Sequence, residues 1–364
     1  MKVIMTGGGT GGHIYPAIAI ADKILEKTSG SEILFVGTRK GLESKLVPRH
    51  GYNIDYITVS GMNRKNLLKN IKVFSDYNKG KKQAEAIIKE FAPDLVIGTG
   101  GYVSGPVLKA ASKMGIPCYL QEQNAIPGLT NKMLEKNVDN IFLGFEEAEK
   151  YFKSKEKCIV TGNPVRPEFF HCDKGKAREE LGMKGDDFML LAFGGSQGAG
   201  RLNKAMIDVI RKYNGVKDVQ VYFATGKSYH LPVMTELEEL EIALKDNIHV
   251  MEYIDEMHRY LAAADLVVSR SGALTVSEIA LCEKPSILIP SPNVAGDHQA
   301  FNARAVSDKG GAILLKEKEL AEDVLFDEVE RLRNNPKLME GMSIQAGRCA
   351  PVDAADIIYY SIIT

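Results

Sequence analysis

The chain has 364 residues, 45% of them hydrophobic and 26% charged, which fits a folded protein long enough for two domains and excludes a disordered chain. Lys plus Arg number 46 against 47 for Asp plus Glu, so no global field draws it to nucleic acid, and any membrane or polyanion contact has to come from a local patch. No apolar run approaches the length of a membrane span and no signal-peptide pattern precedes the first strand, so a cytoplasmic location is expected; the five cysteines, odd in number and without C-x-x-C spacing, are expected as buried thiols.

Lys2 to Met5 reads as a short apolar strand, and Ile14 to Leu25 carries apolar residues at helical spacing, so TGGGTGGH between them is a strand-to-helix turn. Such a turn aims backbone N–H groups and a helix N-terminus at one spot, suited to an anion or a ligand hydroxyl. Gly7, Gly9 and Gly12 also match the dinucleotide fingerprint G-x-G-x-x-G. That fingerprint wants an acidic residue near the end of the second strand, and here Ile33 to Val36 runs into Gly37 and Thr38. A nicotinamide dinucleotide is therefore disfavoured against a structural turn or another ligand.

Residues 61 to 84 follow, with seven Lys or Arg and one Asp. At about 100° per residue, Leu67, Ile71 and Phe74 share one face while Lys65, Lys69, Lys72 and Lys79 gather opposite. This suits either an interfacial segment on anionic lipid or a surface helix packed on the core. Strand-like runs at IDYITV, DLVIGTG, PCYL, IFLGF and KCIVTG alternate with helical stretches, which predicts an α/β domain with a mostly parallel sheet. Prolines in TGNPVRPEFF mark a boundary, dividing residues 1–163 from 164–349.

The second part repeats the architecture of the first. FMLLAF, the glycine turn GGSQGAG and the helical RLNKAMIDVI are followed by strands in VQVYFAT, IHVMEYI, DLVVSRS and SILIP. Two doubly wound sheets are expected to face one cleft with their strand C-terminal ends, where ligands of open α/β sheets bind. In DLVVSRSGALTVSEIAL a helix starting at Ala273 leaves its first N–H groups free beneath a positive dipole end, which suits a diphosphate. Glu278 in that helix could accept from ribose hydroxyls or merely complement the dipole, and Ser196 and Arg166 could approach the same charge. The sequence has no D-x-D pair and no histidine pair at ligand spacing, so no metal or other cofactor is implied.

GGGTGGH, GGYVSGP at 100–106, EQN at 122–124, GNPVR at 162–166, GGSQGA at 194–199, RSGALTVSE at 270–278 and DHQAFNA at 297–303 occur in one order over the whole chain. In this the chain resembles the MurG family of UDP-N-acetylglucosamine transferases. The resemblance implies a GT-B fold of two Rossmann-like domains, with the C-terminal helix, residues 350–364, completing the first. It implies inverting, metal-free transfer of N-acetylglucosamine from UDP-N-acetylglucosamine to undecaprenyl-diphosphate-N-acetylmuramoyl-pentapeptide, converting lipid I to lipid II in peptidoglycan synthesis. A peripheral place on the cytoplasmic face of the cell membrane, against anionic lipid, follows from the lipid substrate, as does contact with other cell-wall synthesis proteins.

Carried over by position, the resemblance places Ile254 at the uracil edge and Glu278 at the ribose. Ala273, Leu274 and Thr275 lie over the phosphates with Ser196 and Arg166 nearby, Val276 and Ser277 are further substrate-binding positions, and Gln299 and Asn124 contact sugar hydroxyls. Thr10, Gly11, Gly12 and His13 line the acceptor side with Tyr102 and Glu122. His13 is the expected general base, since a neutral imidazole could take the acceptor hydroxyl proton, and Glu122 is the second candidate. The family usually reads H-E-Q-N, whereas this chain has Gln121 in QEQN, and glutamine cannot exchange a proton. A UDP-N-acetylglucosamine 2-epimerase of the same fold is the alternative function; GGYVSGP and the basic segment count against it.

Overall fold

Seven strands build the first sheet: β1 (Lys2–Gly7), β2 (Glu32–Gly37), β3 (Asn53–Tyr56), β4 (Leu95–Gly100), β5 (Cys118–Glu122), β6 (Asn140–Leu143) and β7 (Cys158–Val160). The computed structural model describes residues 1–61, 70–183 and 185–363. The strands run parallel in the order β3-β2-β1-β4-β5-β6-β7. Helices α1 (Gly11–Lys27), α2 (Glu43–Arg49), α3 (Asn70–Phe91), α4 (Ser104–Lys113) and α5 (Leu129–Leu134) connect them. Because side chains alternate across a strand, β1 feeds two cores at once. Ile4 packs with Val96, Val107 and Ile141 on one face, and Val3 and Met5 pack with Ile18, Ile97 and Phe142 on the other.

The second sheet orders β10 (Ile248–Met251), β9 (Val219–Ala224), β8 (Phe188–Phe193), β11 (Leu266–Ser269), β12 (Ser286–Leu288) and β13 (Ala312–Leu314), again all parallel. Its helices are α6 (Lys174–Glu180), α7 (Gly200–Tyr213), α8 (His230–Glu239), α9 (Met257–Ala263), α10 (Ala273–Leu281), α11 (His298–Ser307), α12 (Val324–Arg333) and α13 (Pro336–Arg348). The edge strand β13 has no counterpart in the sequence reading, because AIL is too short to show a period.

The chain divides into two units, Met1–Arg166 with Pro351–Thr364, and Pro167–Ala350. The last helix, α14 (Ala354–Ile363), belongs to the first unit because its apolar face meets α1. Lys23 pairs with Asp353 at 3.1 Å and Asp356 at 3.4 Å, and the hydroxyls of Thr28 and Tyr359 meet at 2.8 Å. One sequence expectation is corrected: Cys172 and Cys282 form a bonded pair, with Cα atoms 5.4 Å apart. They are 110 residues apart, and packing of the 167–170 turn near α10 unites them, which no local spacing could show. Cys118, which is buried, and Cys158, which is half-buried, are free thiols.

Candidate active site

In each sheet the strand order reverses direction beside the first strand, between β1 and β4 and between β8 and β11. Loops leaving such a switch point splay apart and open a crevice at the strand C-termini. In the first unit those loops are Gly8–Thr10 and Gly101–Val103. Thr10 caps α1 with extended backbone angles, and its carbonyl accepts from the N–H groups of His13 at 3.1 Å and Ile14 at 3.3 Å. The cap turns His13 back over its own loop, where Nδ1 lies 2.9 Å from the Gly8 carbonyl and 3.3 Å from the Thr10 hydroxyl. A carbonyl only accepts, so Nδ1 carries a hydrogen, and in the neutral ring the lone pair is then on Nε2.

Gly100 shows what surrounds that lone pair. A Cβ there would lie 3.3 Å from His13 Nε2 and 3.4 Å from Asn131 Nδ2, and its φ is +103°. Imidazole and carboxamide thus converge on one point, which the missing side chain keeps open. Asn131, 3% exposed, donates 2.7 Å to Glu122, and among the described residues its own Oδ1 has no hydrogen-bond partner. Gly11 and Gly12 form the first turn of α1 beside this point, and Tyr102 leans on the first loop, with Cε1 3.4 Å from where a Cβ on Gly9 would be.

Glu122 is 1% exposed, and its two oxygens accept four hydrogen bonds. They come from the Asn124 N–H at 2.9 Å, Asn124 Nδ2 at 3.1 Å, the Gly128 N–H at 2.9 Å and Asn131 Nδ2. So the carboxylate anchors the loop after β5 and the start of α5. Gln121 is fully buried and donates 3.1 Å to Asn163 Oδ1, while Gln123 Nε2 donates to Gln121 Oε1. Asn163 Nδ2 closes the ring on the Gln123 backbone at 3.0 Å. An amide suits such a ring because it donates and accepts at once.

In the second unit a cavity of about 640 Å³ opens between the 194–200 glycine loop, Tyr229, Arg270, Thr275 and Gln299. The first turn of α10 faces it, capped by Gly272 and carrying no acidic residue, so its unshared N–H groups and dipole favour a negative ligand. Gln299 Oε1 accepts from the Ser291 N–H at 2.8 Å, which leaves the carboxamide hydrogens to point elsewhere. Arg270 donates to the carbonyls of Ile289 at 3.0 Å and Pro290 at 3.1 Å and forms an ion pair with Glu317.

Family models match both halves: the glycosyltransferase family 28 N-terminal domain over residues 3–143 and the family 28 C-terminal domain over residues 189–357. A relative from Alkaliphilus metalliredigens, a UDP-N-acetylglucosamine--N-acetylmuramyl-(pentapeptide) pyrophosphoryl-undecaprenol N-acetylglucosamine transferase, is 43% identical over 100% of this chain and 99% of its own. The chain belongs to the MurG family. A relative of the same name from Desulforamulus reducens is 43% identical over 98% of this chain and 97% of its own. The crystal structure of Acinetobacter baumannii MurG superposes with a TM-score of 0.78 at 26% identity, covering 99% of this chain and 98% of that one. The UDP-GlcNAc 2-epimerase of Neisseria meningitidis shares the fold, with a TM-score of 0.71 at 16% identity over 100% of both chains. The protein is a GT-B glycosyltransferase.

Among MurG-family positions expected from the sequence, Thr10, Gly11, Gly12, His13 and Tyr102 meet around the first loop. Glu122 and Asn124 join them through Asn131. Thr275 and Gln299 line the second-unit cavity with Ala273 and Leu274 in the same helical turn. Ser196 is exposed on the glycine loop, Ile254 is buried after β10, and Val276 and Ser277 are buried in α10, with Glu278 half-buried in its second turn; none of these side chains lines the cavity. Arg166 ends the first unit, its guanidinium 5.7 Å from the Tyr15 ring centre. Sequence reasoning passed over Glu43, Asn131, Arg270 and Tyr229. Arg270 lay within a quoted motif, whereas the others carried no pattern that marks a site.

Proposed function

We propose that this chain moves N-acetylglucosamine from UDP-N-acetylglucosamine to the C4 hydroxyl of undecaprenyl-diphosphate-N-acetylmuramoyl-pentapeptide, making lipid II from lipid I. The observation that carries this reading is full-length identity of 43% to transferases named for that reaction. The second unit holds the donor: the α10 N-terminus and the 194–200 loop take the diphosphate, Glu278 the ribose, the Ile254 backbone the uracil edge, and Gln299 a sugar hydroxyl. Ser196 and Arg166 add donors to the phosphates. Thr10, Gly11, Gly12, Tyr102 and Asn124 shape the place where the acceptor meets the sugar.

In the step itself, His13 Nε2 takes the proton of the acceptor C4 hydroxyl. The freed oxygen bonds to the anomeric carbon from the side opposite the diphosphate, and the bond to UDP breaks with its electron pair on the phosphate oxygen. One proton and UDP are released, and the configuration inverts. Preorganised backbone N–H groups meet the charge that develops on the leaving diphosphate. Glu122 keeps its four hydrogen bonds throughout and places the loop that carries Asn124.

The lipid part of the acceptor calls for a membrane contact, which we assign to residues 61–84 on the cytoplasmic face of the cell membrane. Lys65, Leu67 and Lys69 lie outside the described residues, as do the side chains of Ile71 and Lys72; beyond them on α3, Phe74 is 68% exposed and Lys79 is exposed. Among the described residues no helix is long and apolar enough to cross a membrane. Incubation with radiolabelled UDP-N-acetylglucosamine and a lipid I analogue tests the function: label entering the lipid supports it, and label staying water-soluble with intact donor overturns it.

A further inference from the structure

Glu43, on the first turn of α2, is 1% exposed and accepts three hydrogen bonds. Oε1 takes the Thr38 N–H at 2.9 Å and the Thr38 hydroxyl at 2.7 Å, and Oε2 takes the Gly9 N–H at 2.9 Å. Glycines wrap the acid, because a Cβ would come within 2.6 Å of its side chain at Gly8 and at Gly37, and within 2.2 Å at Gly41. Among the described residues no lysine, arginine or histidine forms an ion pair with it. A buried carboxylate held only by neutral donors is an expensive way to fasten a loop, since a neutral side chain would avoid the desolvation of a charge.

Where that loop leads gives the acid a purpose. The Gly9 N–H and the Gly8 carbonyl are two ends of one peptide group. The first donates to Glu43, and the second lies 2.9 Å from His13 Nδ1. Among the described residues no peptide bond is cis, so these ends point to opposite sides of a rigid plane, with the carboxylate on one side and the imidazole on the other. A charge on the N–H end polarises the peptide and makes its carbonyl a stronger acceptor. We propose that Glu43 is a positioning residue for His13, acting through the Gly8–Gly9 peptide. It holds the hydrogen on Nδ1, leaves Nε2 free to accept, and steadies the imidazolium that forms when Nε2 takes the acceptor proton. An aspartate bonded directly to a catalytic histidine has the same effect in hydrolase triads; here one peptide stands between acid and base. The proposal rests on the reading of His13 as the base.

The test is ring-nitrogen NMR of the full chain with 15N-labelled histidine, with the His13 signals assigned by their loss in His13→Gln. Wild type is expected to show hydrogen on Nδ1. In Glu43→Gln that tautomer should lose population to the Nε2–H form, and kcat should fall roughly 10- to 100-fold, as when an outer hydrogen-bond partner of a working imidazole is lost. Donor KM should stay within about twofold, because the donor belongs to the other unit. A folded Glu43→Gln with unchanged His13 nitrogens overturns the proposal and leaves the base assignment standing. Retained kcat in His13→Ala overturns the base assignment, while the tautomer measurement remains readable. Should Glu43→Gln fail to fold, the wild-type protein still decides: the Gly9 amide proton should move as the His13 ring is titrated, and a stationary Gly9 amide overturns the proposal.

Discussion

Asn131 donates 2.7 Å to Glu122 Oε2 and so completes a set of four donors on one buried carboxylate. With its lone pairs committed, that acid is placed to hold structure. Glu122→Gln puts an NH₂ where an acceptor is needed and leaves at least one N–H unsatisfied, at a cost of about 1 to 3 kcal/mol. Urea denaturation should show that loss.

His13→Ala should lower kcat by ~10² to 10⁴, the usual worth of positioned proton transfer. UDP affinity, measured by calorimetry on the same preparation, should persist, because the cavity with the α10 N-terminus belongs wholly to the second unit. Retained kcat would remove His13 from the role of base, and lost UDP affinity would make the first glycine loop part of the donor site.

Gly12 lies exposed in the first turn of α1, and the nearest atom to a Cβ there is the Thr10 hydroxyl oxygen at 3.7 Å. The fold therefore tolerates alanine, which also favours a helix by up to about 1 kcal/mol. If substrate has to come close to this backbone, Gly12→Ala should keep or raise the melting temperature yet lower transfer by about tenfold or more. Unchanged transfer would mean that the glycine serves no close approach.

Glu278→Ala should raise donor KM by the loss of a charge-assisted hydrogen bond to the ribose, about 1.5 to 3 kcal/mol. Unchanged donor kinetics would take Glu278 out of the site.

Changing Lys65, Lys69 and Lys72 together to Gln should weaken binding to anionic vesicles by about 1 kcal/mol per charge near the surface, with little effect on turnover of a short-chain soluble acceptor. Vesicle binding that survives at ordinary salt would make the segment a packed surface helix.

Lys284 supplies a pH signature unrelated to catalysis. Its side chain is 8% exposed and donates 2.7 Å to the Ala262 carbonyl. Burial, with Lys174 nearby, lowers its pKa from 10.5 to about 8. Between those values the unfolded chain binds a proton that the native chain does not, so stability contributed by this group rises with pH from about 8 to 10.5. The rise is on the order of 3 kcal/mol. Denaturation midpoints across that window should climb less in Lys284→Met than in wild type.

Much of the fold was legible because its causes are local. Apolar runs of strand length, glycine turns directly after them and helical spacing beyond recur twice, and each constrains only neighbours in the chain. The α10 start at Ala273 could be read from the same local chemistry, since a helix N-terminus leaves N–H groups free whatever surrounds it. Ordered motifs along the whole chain also marked the family and, with it, His13. Tertiary structure alone decided what each side chain faces. The acid missing from the end of the second strand stands six residues beyond Gly37, where Glu43 folds back to grip the glycine loop itself. Glu122, a candidate base by motif, is occupied by donors from Asn124, Gly128 and Asn131, and Gln121 sits in a ring of amides closed by Asn163. Cys172 found Cys282 across 110 residues. Hydrogen bonds and close contacts of this kind depend on positions within a few tenths of an ångström, and those are set by packing among segments far apart in the chain, which no local period records.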